Sequence, residues 1–173
     1  MRGMWVLAGV GVLLLAAGGA SNEKVRGWVM APRGIRNNNP GNLRRNATAW
    51  QGLAPAQSDS EFFQFVAPVW GIRALARTLR TYVHSHNLAT VREIVNRWAP
   101  PVGRDSVGRS YTQNTDAYTR HVAAAVGVSP DQALAFSAGQ LEALVTAIIR
   151  HENGQQPYSV ALIREGIAAA GWM

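Results

Sequence analysis

This 173-residue chain predicts a mainly α fold: a loop-rich N-terminal part feeding a helical domain, preceded by one hydrophobic N-terminal helix. Three observations carry that prediction. From Gly71 onward, apolar residues recur at helical spacing. Residues 34–70 are instead crowded with Gly, Pro, Asn and Ser and have little periodicity, which leaves room for a short strand pair between Leu43 and Phe65. Residues 4–20 contain no charge at all.

That apolar segment follows Met1-Arg2-Gly3 and is slightly shorter than the roughly 20 residues of a comfortable membrane span. It reads as a membrane anchor, or as a signal peptide with Gly18-Gly19-Ala20 as cleavage site. The domain organisation follows: anchor or signal over 1–21, a polar, basic linker over 22–33, and one domain over 34–173. Either way, the domain is presented at or beyond a membrane.

Within the domain, Ile72, Leu75, Ala76, Leu79 and Tyr82 or Val83 form the stripe of a first helix, with Arg73, Arg77 and Arg80 turned away. Thr90 and Glu93 have capping-box spacing and open a second, carrying Ile94, Val95 and Trp98 until Pro100-Pro101 closes it. Residues 102–113 read as a mobile loop. Asn114 or Thr115 caps a helix burying Tyr118, Val122 and Ala125 and stopping at Gly127; Ser129-Pro130 begins a short turn. Ser137 opens a long helix and Ser159 the terminal one.

The long helix is the most informative. Its stripe of Leu141, Leu144, Val145, Ile148 and Ile149 has its next step at position 152, which holds a glutamate, and Gly154 then stops the helix. Partial burial and the negative end of the helix dipole both oppose the charged form there, so a raised pKa and a general-acid role are expected. The alternative is a glutamate that ends its helix exposed or pairs with an arginine.

A second cluster lies at Arg33-Gly34-Ile35-Arg36-Asn37-Asn38-Asn39-Pro40-Gly41-Asn42. Asparagine amides both donate and accept, which suits sugar hydroxyl and acetamido groups, and Trp50 nearby offers a ring for stacking. A lone asparagine in such a turn more often serves the left-handed backbone. Asp59, Glu61 and Asp116 are the other carboxylates to weigh as acids.

The composition narrows the chemistry further. Lys and Arg total 17 against 10 Asp and Glu, a net charge of +7, and every basic residue except Lys24 is arginine. Such a surface attracts polyanions, cell-wall polymers included. Without cysteine there is no thiolate chemistry, and His84, His86, His121 and His151 lack metal-site spacing, so neither metal nor cofactor is expected. The scattered arginines and the lack of a recognition motif argue against nucleic acid.

The runs RGIRNNNPGNLRR, AWQGLA, FFQFVAPVWGIRALARTLRTY and VREIVNRWAPP resemble phage and prophage proteins of the virion, described as structural proteins or peptidoglycan hydrolases. The run LVTAIIRHENG is similar to the catalytic helix of lysozyme-superfamily lytic transglycosylases and glucosaminidases, with Asn153 where transglycosylases carry serine. Those families place the acid helix first, whereas here it comes last, as in a circularly permuted lysozyme-like domain. The resemblance implies Glu152 as the catalytic acid and Asn38, Asn39, Asn42, Trp50 and Tyr118 as substrate-binding residues. It implies peptidoglycan as substrate, a virion location with membrane association, and action in the host envelope beside other virion proteins. A non-catalytic virion protein binding wall, membrane or capsid partners is the alternative.

Overall fold

The computed structural model describes residues 31–104 and 108–172. The N-terminal anchor or signal and almost all of the linker lie outside the described residues. From Pro32 onward the chain forms one compact unit. It is mainly α: α1 (Arg33–Arg36), α2 (Pro68–His86), α3 (Val91–Trp98), α4 (Thr115–Val126), α5 (Ala138–Asn153) and α6 (Val160–Ala169), with a two-stranded hairpin of β1 (Val102–Arg104) and β2 (Ser110–Thr112).

The helix starts obey local chemistry. Pro68 occupies the first turn of α2, three residues ahead of the expected start at Gly71. Thr90 and Glu93 form the complete capping box of α3. Asn114, Ser137 and Ser159 each accept the backbone N–H three residues on, opening α4, α5 and α6. Left-handed glycines 127 and 154 end α4 and α5.

Helix α5 is the central element, in contact with α1, α2, α4 and α6, while α2 runs along α6 and α3 along α4. The apolar stripes meet in one core, in which Ile72, Leu79, Ile94, Val122, Ile148 and Ile163 are inaccessible to solvent. Arg73 and Arg77 do not merely face away. They donate to the carbonyls of Ala169 and Ala170 and so cover the C-terminal end of α6. Ala125, expected inside, is exposed; Ala123 takes the core position.

Two expectations are revised. Residues 43–65 form no strand pair but only isolated antiparallel bridges, Arg44 to Phe62 and Leu53 to Phe65, above a small cluster of Phe63, Phe65 and Ala74. The hairpin lies instead within 102–113, read from sequence as a loop. Gly103 there pairs with Tyr111 and lies so close that a Cβ would collide with the tyrosine ring. Glycine and arginine content hid strands of only three residues.

Gly71 ties the loop-rich part to the helices. A Cβ at this position would run into the backbone carbonyl of Asn38. Gly71→Ala is therefore expected to cost about 3 kcal/mol, lowering the melting temperature by roughly 6–12 °C in a thermal melt.

Candidate functional site

Glu152 sits in the last turn of α5, half-buried, at the floor of a groove of about 810 Å³. Asn42, Trp50, Phe62, Trp98 and Tyr111 line the same groove. Three donors converge on its carboxylate. The Trp98 indole N–H and the Tyr118 hydroxyl both donate to Oε1, each at 3.0 Å. The Asn42 amide donates to Oε2 at 3.1 Å and also reaches the Glu152 backbone carbonyl at 3.3 Å. These donors come from α3, from α4 and from the asparagine-rich bend. No arginine contacts the carboxylate among the described residues.

The bend is held in place by its own amides. Asn38 and Asn42 adopt left-handed backbone, with φ of 49° and 48°. Asn39 is fully buried, donates to the Leu43 and Phe63 carbonyls and accepts from the Leu43 N–H. Asn38 donates to the Phe65 carbonyl. Of the asparagines read as sugar ligands, the structure thus brings only Asn42 to the groove, while Asn38 and Asn39 spend their side chains on the loop. Asn37 donates to Asp59 at 2.7 Å.

Asn153, beside the glutamate, is buried and donates to the Pro40 and Ile149 carbonyls, fastening the end of α5 to the bend. The Oδ1 atoms of Asn42 and Asn153 both crowd Gly34, where any side chain would collide with them. Gly41 packs on the Trp98 ring, so the bend also braces the indole that holds Glu152.

Tyr118 lies beneath the groove rather than along its wall, 3% exposed. Burial, reinforced by the charge and hydrogen bond of Glu152, pushes its hydroxyl far above the ordinary value, so it remains a donor at any physiological pH. Its ring stacks on His151 at 3.5 Å between centroids, and His151 Nδ1 lies 3.3 Å from His121 Nδ1. Trp50 packs on the small aromatic cluster and presents its remaining surface to the groove.

The other carboxylates weighed as acids, Asp59, Glu61 and Asp116, are spent on ion pairs. Arg33 binds Asp59 at 2.6 Å and Glu61 at 2.8 Å, and Asp116 pairs with Arg92. Burial alone would raise the Asp59 carboxyl. Arg33, Asn37 and the backbone N–H groups of Phe62 and Glu61 outweigh it and hold the group far below the usual carboxylate range. Trp98 was missed by sequence reasoning because it continues the apolar stripe of α3 and reads there as core. Asn153 carried no signal, since only the fold brings it to Pro40.

Among comparisons with known proteins, protein P5 of Pseudoalteromonas phage PM2 is 36% identical over 139 residues, spanning 79% of this chain and 80% of the relative. The chain belongs to the protein P5 family. No protein-family model matches it. The stretch shared with this phage protein is long enough to include most of the domain that carries the groove.

The site's neighbours predict its acid response. Burial and, secondarily, His121 hold the His151 imidazole below its ordinary 6.5. A lowered folded value means that the native state binds fewer protons than the unfolded chain. This stability is therefore complete above pH 6.5 and is lost as pH falls through the lowered value. Asp59 follows the same sign in a lower window, with its contribution complete above about pH 3.8. Melting temperatures measured across pH are expected to decline in two stages, with His151→Gln flattening the upper one and Asp59→Asn the lower.

Proposed function

We propose that this phage protein is a component of the virion and that its groove cleaves the glycan of peptidoglycan during genome delivery. Glu152 is the single acid. The observation that carries the reading is the meeting, in one open groove, of a half-buried carboxylate held by three neutral donors with a half-buried aromatic wall. Oε1 has both lone pairs occupied by Trp98 and Tyr118, so the transferable proton belongs on Oε2. The proton passes to the glycosidic oxygen as the C1–O bond breaks. The carboxylate then takes a proton from water, or from a hydroxyl of the same sugar, as the new bond to C1 forms.

No second carboxylate lines the groove among the described residues, so charge developing at C1 would be met by the substrate's own acetamido group. Trp50 provides a face for a sugar ring and Asn42 an amide beside the reacting oxygen. The domain reads as a permuted lysozyme-like arrangement, in which the acid helix closes onto the asparagine bend from the far end of the chain. Residues 1–21 would anchor it to a membrane, with 22–33 as tether.

Kinship to protein P5 supports a phage protein and is silent on catalysis. A non-catalytic virion protein that grips wall glycan in the same groove is the second reading, and the finding of one carboxylate among the described groove residues favours it. Digestion of purified peptidoglycan, with products identified by mass, separates the two. Glu152→Gln is expected to lower sugar release at least about 100-fold without lowering the melting temperature. Trp98→Phe and Tyr118→Phe are each expected to lower kcat about 10-fold with KM nearly unchanged. Release unchanged by Glu152→Gln rejects this acid; wild-type protein that sediments with the wall yet releases nothing establishes the binding role.

A further inference from the structure

Arg44 stands two residues beyond Asn42, so its Cα lies at most about 7 Å from that of the residue gripping Glu152. It lines the same groove. Its guanidinium lies over the Phe62 ring at 5.1 Å and over the Tyr111 ring at 5.7 Å, held between the loop-rich part and strand β2. Among the described residues, the one acceptor it contacts is Glu61, at a long 3.5 Å, and Glu61 is bound more closely by Arg33 at 2.8 Å. The side chain is 41% exposed. Its fork is therefore positioned by aromatic faces, and most of its donors have no partner among the described residues.

Neutral sugars need no such group, since amides and aromatic faces recognise them. A fixed planar guanidinium matches the two oxygens of a carboxylate, and stacking has already removed much of the freedom that binding would cost. Among the described residues, the only other charged groups lining the groove are Arg104 and Glu152. Resting on the glycan reading of the same groove, we propose that Arg44 determines specificity by binding a carboxylate of the lactyl-peptide substituent on the sugar beside the scissile bond. The groove thereby selects wall glycan over uncharged N-acetylglucosamine polymers.

The test is sedimentation with two insoluble polymers: native peptidoglycan, and the same material with its carboxylates capped as neutral amides. The full chain carrying Glu152→Gln is used, so binding is read without turnover. Capping is expected to weaken retention about 10-fold. Adding Arg44→Gln should produce the same loss on native wall and none on capped wall, and Arg44→Lys, which keeps the charge without the fork, should lose most of it. Arg120→Gln, which removes an exposed charge on α4 outside the groove, should keep full discrimination. Retention indifferent to capping, an equal loss on both polymers with Arg44→Gln, or an equal loss with Arg120→Gln overturns the proposal. The glycosidase reading fails separately, through absent sugar release by the wild-type protein, and the retention result stands whichever way that assay falls.

Discussion

The arrangement depends on one carboxylate and the three neutral donors that fix it. A half-buried acid needs partners, and arginine partners would neutralise it and close the space around it. Here an indole, a phenol and an amide satisfy its oxygens and leave the groove side open. Each donor is itself immobilised. Trp98 is packed against Gly41, Tyr118 is sandwiched between the core and His151, and Asn42 is locked into left-handed backbone. The supporting shell, more than the acid, makes the geometry reproducible.

The loop-rich part follows from this demand. It lacks a sheet of its own, yet its backbone groups are paired by asparagine and aspartate side chains, with Asn39 doing at two carbonyls what a neighbouring strand would otherwise do. The Arg33, Asp59 and Asn37 network fastens the loop's outer edge, and Asn153 fastens its inner edge to α5. Polar side chains thus substitute for secondary structure along this stretch, which explains why a short run of sequence holds so many amides.

The helices were legible because capping and periodicity are local. Ser137, Ser159 and the Thr90–Glu93 pair announce their helices within four residues, and the break in the α5 stripe at Glu152 was visible for the same reason. The roles of the asparagines were not. Asn38, Asn39 and Asn42 are identical in chemistry, and only the approach of α5 and the Phe63–Phe65 segment decides which amide meets the acid and which meets a carbonyl. Trp98 was hidden by its own periodicity, since the stripe that buries Ile94 also carries the indole to the groove edge. The hairpin was too short for alternation to register against its glycine and arginine content.

The bond between Asn42 and Glu152 spans 110 positions of the chain. Contacts so distant form only after nearly the whole domain has been synthesised and the intervening helices have docked. A ribosome-bound or truncated chain therefore carries the acid helix or the asparagine bend, but never the completed clamp. The grip on Glu152 is thus a property of the finished domain, absent from any fragment of it.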